Sequence, residues 1–319
     1  MDRIAKKILC ALDVNCRVPL SRLAKDLRLS RNVVAYRIQK LEKEGVITKY
    51  ICSVNLGLLG YKTYKVYFKI LNARSGLEGD FVEFLLKDKQ VIHALKTEGA
   101  FDYSATLAVQ SIRELDDFLI RLKSQFKELV VDYWVSILVY SKVFKLNKWL
   151  LGEKKEWPKM ERYSGEGKTE AIDEEDKKIL RELSQGANTP MVELARKTKL
   201  SLDVVKYRLK KLSKSMVNAY RVMLNLNKLG VYHYVVMLRV RQASHQDEER
   251  LVSWCALKSN VMYCSKRIGY FDFEINAAIT DINDLNEFMT ELKQEFSTII
   301  GSYETMINSK LLKLNYVPF

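Results

Sequence analysis

The sequence predicts an α+β chain: two winged-type helix-turn-helix domains and two ferredoxin-like βαββαβ domains. Three observations predict it. The chain repeats itself along its whole length, each repeat opens on three short helices, and each then runs strand–helix–strand–strand–helix–strand. Lys6-Lys7-Ile8-Leu9 returns as Lys177-Lys178-Ile179-Leu180, 171 residues later. At the same offset Leu23-Ala24 meets Leu194-Ala195, Leu29-Ser30 meets Leu200-Ser201, and Tyr36-Arg37 meets Tyr207-Arg208. One residue is then lost, and at 170 Asn55-Leu56 meets Asn225-Leu226 while Gly99, Phe101 and Asp102 meet Gly269, Phe271 and Asp272. Ser141-Lys142 answers Ser309-Lys310 after a small insertion. This is a tandem duplication and not a solenoid of short repeats.

In chain order, Ile4, Ile8, Leu9 and Leu12 make an amphipathic first helix. The segment 15–19 breaks it, and Leu20, Leu23, Ala24 and Leu27 begin a second. Ala24 is small, so that helix can cross close to the next. A tight turn at Arg28-Leu29 leads to Ser30, an N-cap whose hydroxyl can take an orphan backbone N–H. Val34, Ile38 and Leu41 then form a narrow apolar stripe, with Asn32, Tyr36, Gln39 and Lys43 on the opposite face and Gly45 as the stop. Alone, such a helix is equally a solvated face; in a helix-turn-helix context that occurs twice, it predicts recognition helices.

The stretch 46–52 alternates, as a wing or a connecting strand. Residues 55–60 are turn-rich. Along 61–73, Tyr64, Val66, Phe68 and Ile70 fall on one side and Lys65, Tyr67 and Lys69 on the other, a half-buried strand. A helix over 77–86 and strands over 91–97 and 103–109 follow, the strands joined across 99–102. Ser111 caps a helix with Leu115, Phe118, Leu119, Leu122 and Phe126 inward, and 130–140 is the last strand. The second copy falls near 231–241, 246–258, 261–268, 270–279, 281–297 and 301–309. Both helices lie on one sheet face, so the other, read as apolar and bare, predicts face-to-face pairing of two such units. The domains expected are 1–53 and 172–224 (helix-turn-helix), 60–146 and 230–319 (ferredoxin-like), and a linker over 147–171. In the linker Trp149 and Trp157 pin the first part, while Gly165 and Gly167 leave the rest flexible.

A length of 319 residues supports about two to four domains. A net charge of +14 and a pI near 9.3 favour a polyanionic partner, nucleic acid first and a membrane surface second. No apolar run spans a bilayer, and the N-terminus has no secretory apolar core, so no membrane role and a cytoplasmic location are expected. Cys10, Cys16, Cys52, Cys255 and Cys264 lack C-x-x-C spacing and read as buried or semi-buried thiols in a reducing cytoplasm. His93, His233 and His245 are scattered, without metal-ligand spacing, and no P-loop, G-x-S-x-G or dinucleotide fingerprint appears. No enzyme, metal or cofactor is expected on these grounds.

Arg17, Leu23-Ala24, Leu29-Ser30, Val33-Val34, Tyr36-Arg37, Leu41, Glu44-Gly45-Val46-Ile47 and Gly60 together resemble the leucine-responsive regulator/AsnC (feast/famine) transcription regulators. The βαββαβ unit with its Gly99-x-x-Asp102 hairpin resembles that family's regulation-of-amino-acid-metabolism domain. The resemblance covers nearly the whole chain, twice. It implies a prokaryotic, archaeal-type, sequence-specific regulator of double-stranded DNA. It further implies an internal pseudo-dimer open to homo-oligomerisation, and an effector such as an amino acid held near the hairpin. Arg31, Asn32, Tyr36 and Gln39 are the base-reading candidates, because Asn and Gln pair bidentately with adenine and Arg with guanine. Lys40 and Lys43 face the backbone, and Lys206, Tyr207, Lys210, Lys211 and Lys214 of the second copy supply mostly charge. Gly99 and Gly269 are first of all hairpin glycines. Asp102 and Asp272 either cap the turn or meet an effector's amino group. Three departures set the second copy apart: Asn188 for Arg17, Asp203 for Asn32, and loss of the Glu44-Gly45 signature at Lys214-Ser215-Met216. Two rivals remain. One is an enzyme like the sirohaem decarboxylases, which also resemble fused regulator halves; the other is a sensor module with one degenerate DNA-binding unit.

Overall fold

The fold comes from a computed structural model, which describes residues 1–71, 75–144, 146–152, 161–164 and 169–319. Trp157, Gly165 and Gly167 of the expected linker, and the end of the strand expected over 61–73, lie outside the described residues. In the first repeat the order is α1 (Arg3–Val14), α2 (Leu20–Leu27), α3 (Arg31–Lys43), β1 (Ile47–Val54), β2 (Lys62–Ile70), α4 (Ser75–Lys87), β3 (Val91–Gly99), β4 (Tyr103–Val109), α5 (Ile112–Phe126) and β5 (Val130–Val143). A short helix α6 (Asn147–Leu151) and strand β6 (Glu161–Ser164) lead to the second repeat. That repeat runs α7 (Glu174–Gln185), α8 (Met191–Thr198), α9 (Leu202–Ser215), β7 (Val217–Leu224), β8 (Tyr232–Val240), α10 (His245–Leu257), β9 (Val261–Gly269), β10 (Phe273–Ile279), α11 (Ile282–Glu295) and β11 (Ile300–Leu314).

The chain divides into two compact units, and each draws on both repeats. In the helical unit (1–55, 143–162 and 171–231), β1 pairs antiparallel with β7 of the other repeat. Of the two readings of 46–52, the connecting strand is the one realised, because its ladder partner lies in the other copy and not in a local hairpin. Ile8, Leu9 and Leu12 of α1, Leu23 and Ala24 of α2, and Val34 and Leu41 of α3 share one core with Val222 of β7. Leu146 and Leu150 join that core, and Trp149 packs against it, so the chain leaving the first sheet is fixed there by apolar contact.

In the sheet unit (56–142, 163–170 and 232–319), each repeat builds a four-stranded sheet, β5-β2-β4-β3 and β11-β8-β10-β9. These join through β3 with β11 and β9 with β5 into a closed ring of eight strands. The outer face of the first sheet packs Tyr64, Val66 and Phe68 against Phe81, Leu85, Phe118, Leu122 and Phe126 of α4 and α5. β11 runs to Leu314, past the expected end at 309, since Ile300–Ile307 pairs with β8 and Met306–Leu314 crosses to β3.

The inner face is paired as expected and is apolar only in part: Tyr67, Phe101, Val235, Met237, Phe271 and Met306 form a buried cluster there, and charged and polar groups fill the rest. Lys65 on β2 is only 4 % exposed, and Glu274 on β10 only 2 %. Ser104, Ser136, Thr97, Arg267 and Asn276 are buried as well. The polar side of the β2 alternation is the side that meets the other repeat.

Candidate nucleic-acid interface

The first recognition helix is positioned by its start and its back. The Ser30 hydroxyl accepts the Val33 N–H at 3.2 Å. The turn before it closes through Arg28 at φ +57°, whose N–H returns to the end of α2. Lys199 repeats this at φ +59° before α9, so a lysine or arginine sits in the left-handed region where glycine is usual. Val34 and Leu41 are buried against α1 and α2. Arg31, Asn32, Tyr36, Gln39, Lys40 and Lys43 are all exposed on the opposite side. Tyr36 is 65 % exposed, which excludes a packing role. Lys40 also lies 3.8 Å from Glu44, an exposed pair of little energetic weight. Arg37 leaves this face and bonds Asp2, the N-cap of α1, at 2.6 Å.

The second recognition helix repeats the frame, with Ser201 accepting the Val204 N–H at 3.3 Å and Val205, Leu209 and Leu212 buried. Lys206, Tyr207, Lys210, Lys211 and Lys214 are exposed, Tyr207 to 72 %. Its surroundings differ in charge. The first turn of α7 holds Glu174, Glu175 and Asp176, whereas that of α1 holds no acid. Arg208 binds Asp173 at 2.7 Å, Asp176 at 2.9 Å, and Glu175 as well. The buried Asp176 carboxylate also lies 3.6 Å from Lys211 Nζ. The Asp176 N–H and then Arg208 hold the Asp173 carboxyl below the usual carboxylate range. Asp203 is exposed on the outward side. Both faces can therefore meet phosphates, but only the first offers amide and guanidinium groups for base edges without an opposing carboxylate at its N-terminal turn.

The hairpin residues lie in the sheet unit. Gly99 (φ +115°) and Gly269 (φ +136°) need their glycines for space as well as for conformation. A Cβ on Gly99 would sit 2.8 Å from the Thr305 carbonyl oxygen, and one on Gly269 2.5 Å from that of Val135. Asp102 accepts the Ile70 N–H at 2.9 Å and lies 3.2 Å from Lys69 Nζ; Asp272 accepts the Val240 N–H at 2.8 Å. Each thus ties its hairpin to the end of the first strand of its own sheet. Beside them Phe101, Trp134, Tyr270 and Phe271 stack in mutual contact.

Inside the ring, Glu274 receives Lys65 Nζ at 2.8 Å and the Tyr67 hydroxyl at 2.7 Å, with Arg267 Nε at 2.9 Å. Burial alone would raise the Glu274 carboxyl, but Lys65 and Arg267 outweigh it and hold it well below the usual range. His233 bonds Asn276 at 2.8 Å and lies 3.2 Å from the Tyr263 hydroxyl. Burial pushes the His233 imidazole down to about 4 and, with the Lys65 charge, His93 to about 3. Burial likewise pushes the Cys16 and Cys52 thiols up to about 12. Among the described residues, no group of three or more His, Cys, Asp or Glu side chains is placed to hold a metal ion. Among the described residues, no helix is long and apolar enough to cross a membrane.

Sequence reasoning missed the buried ion pairs that join the repeats, Asp13 with Arg221 and Lys65 with Glu274. The available signal was a charge present in one copy with a neutral residue at the matching place in the other.

A family profile described as winged helix-turn-helix DNA-binding matches residues 1–48 and 172–215. The HTH-type transcriptional regulator FL11 of Pyrococcus furiosus is 29 % identical over 119 residues, covering 37 % of this chain and 78 % of that protein. The proline dehydrogenase transcriptional activator of Rhodobacter capsulatus is 30 % identical over 125 residues, covering 39 % of this chain and 81 % of that protein. Over the whole length the fold is similar to a crystal structure of the siroheme decarboxylase NirDL. The TM-score is 0.63 at 17 % identity, over 99 % of this chain and 94 % of that one. The chain thus belongs to the leucine-responsive regulator/AsnC family, as a tandem duplication that carries the winged helix-turn-helix unit twice.

Proposed function

We propose that the chain is a sequence-specific, double-stranded-DNA-binding transcription regulator of the cytoplasm that reads an asymmetric operator. The observation that carries this reading is the pair of exposed recognition faces. Arg31, Asn32, Tyr36 and Gln39 of α3 read base edges, with Lys40 and Lys43 on the backbone. Lys206, Tyr207, Lys210, Lys211 and Lys214 of α9 mainly hold phosphates. The modules are 1–53 and 172–224 for DNA, and 60–146 and 230–319 for an effector, with Gly99, Asp102, Gly269 and Asp272 framing the effector subsites. An amino acid is the effector class proposed, its amino group meeting Asp102 or Asp272 beside the cluster of aromatic rings. A mobility-shift titration against a random DNA pool over a salt series tests it. Selected sequences bound with a steep salt slope support the reading, and absence of any sequence preference overturns it.

A second reading, an enzyme of the siroheme decarboxylase kind, is favoured by the whole-length likeness of fold. His93 and His233 are the imidazoles such chemistry would draw on, and burial keeps both neutral. Tetrapyrrole absorbance that stays with the protein through purification supports the second reading, and its absence from the protein fraction, even after a tetrapyrrole is added and the protein gel-filtered, counts against it.

A further inference from the structure

The two repeats meet through a backbone that is nearly symmetric. In the helical unit the Cys16 N–H donates to Tyr220 O at 2.9 Å, and its counterpart, the Ala187 N–H, donates to Tyr50 O at 3.1 Å. The Asn55 N–H reaches Met216 O at 2.8 Å, and the Asn225 N–H reaches Val46 O at 2.9 Å. In the β1–β7 ladder Ile51 lies directly opposite Arg221, its own counterpart in the duplication. In the sheet unit Gly99 abuts Thr305 and Met306, while Gly269 abuts Val135 and Ser136. Backbone geometry alone would therefore admit either repeat in either place.

The buried charges would not. Asp13 binds Arg221 bidentately, Oδ1 to Nε at 2.7 Å and Oδ2 to Nη2 at 2.9 Å. The matching positions hold Ser184 and Ile51. Two first repeats would bury two Asp13 carboxylates facing isoleucine. Two second repeats would set Arg221 directly opposite Arg221, with Ser184 in place of each Asp13. In the ring, Lys65 of the first repeat meets Glu274 and Arg267 of the second, where the matching positions hold Val235, Ser104 and Thr97. Two first repeats would enclose two lysines and no acid. Two second repeats would keep their own Glu274–Arg267 pairs, so in that combination it is Arg221 that repels.

We propose that these two one-sided sets of buried charge form a pairing code: each repeat fits the other and refuses both a second copy of itself and a single-repeat relative that lacks the complementary charge. Such a code keeps the asymmetric pair of recognition helices together in one reader.

The test uses the whole chain carrying a protease site between 152 and 161, cut, unfolded, refolded with both fragments present, and read by native mass spectrometry. Pairs of first and second fragment are expected, with first–first pairs about a hundredfold below their statistical share. The neutral variant takes each residue from the sister repeat (Asp13→Ser, Arg221→Ile, Lys65→Val, Glu274→Ser, Arg267→Thr) and is expected to give a near-statistical mixture. Statistical pairing of the wild-type fragments, or unchanged selectivity in the neutral variant, overturns the proposal. Should the cut fragments not refold, the intact chain serves. Asp13→Ser and Arg221→Ile should each lower Tm and together restore most of the loss, whereas additive losses overturn the proposal.

Discussion

Arg208, on the second recognition helix, donates to Asp176 at 2.9 Å, and Asp176 stands where the first repeat has Ala5. The aspartate is buried and also draws Lys211, so two of the cations beside the second DNA face answer to a carboxylate inside the protein. Asp176→Ala installs the residue the first repeat already tolerates, and Arg208 keeps Asp173 and Glu175. We expect DNA affinity to rise several-fold at low salt, with a salt slope steeper by up to about one. Titration at two ionic strengths measures it; unchanged affinity would show that α9 does not approach phosphate.

On the first helix the expectation concerns specificity. Asn32→Ala or Gln39→Ala should cost about 1–3 kcal/mol on the preferred sequence and relax choice at one or two base pairs. Lys210→Ala on the second helix should weaken all sequences alike. Competition binding against single-base variants reads the difference. Loss on Tyr36→Ala without loss on Tyr207→Ala would mark the second unit as a degenerate one.

What was legible in the sequence follows from periodicity and repetition. The Val34–Leu41 stripe and the Ser30 cap are local patterns with local causes, and each stands in the fold as read, while the β2 alternation gives the two sides correctly but the strand, read as half-buried, is buried on both. The duplication made the exposed faces of α3 and α9 readable as a pair. The inner sheet face is apolar around Tyr67, Phe101, Val235 and Phe271, and its buried charges stay hidden in the sequence because a strand shows which residues share a side but not what that side meets. Lys65 reads as a solvent residue until Glu274, 209 positions away, is found 2.8 Å from it. The turn at Arg28 is legible but its left-handed conformation, repeated at Lys199, is not, since neither residue is a glycine.

Two positive-φ glycines, one after α3 and one in a hairpin, predict a graded stability series. Gly45 has φ +70° and open space around its Cα, so Gly45→Ala should cost about 1 kcal/mol. Gly269→Ala combines φ +136° with a backbone carbonyl 2.5 Å from the new Cβ and should cost about 3 kcal/mol or more. Chemical denaturation compares them, and equal losses would contradict the close approach of β5 to that hairpin.

Two half-buried histidines set a pH window. Both His233 (about 4) and His93 (about 3) lie below the ordinary imidazole value of 6.5, so the unfolded chain binds more protons between those values. Stability is therefore full above pH 6.5 and falls as pH drops towards 4 and then 3, by up to about 1.4 kcal/mol per pH unit for each histidine. The depressed Glu274 carboxyl has the same sign but acts lower, its contribution present above 4.5 and lost as pH falls further. His233→Asn should flatten the upper part of the profile in a Tm series; an unchanged slope would contradict the burial of this ring.

The central claim is that one chain carries two unlike DNA readers, and a base-by-base substitution scan of both half-sites of its selected operator tests it most directly. With the intact protein at fixed salt, substitutions in one half-site should cost about 1–3 kcal/mol each, while those in the other change binding little. Equal sensitivity in the two half-sites, or no preferred sequence at all, would contradict it.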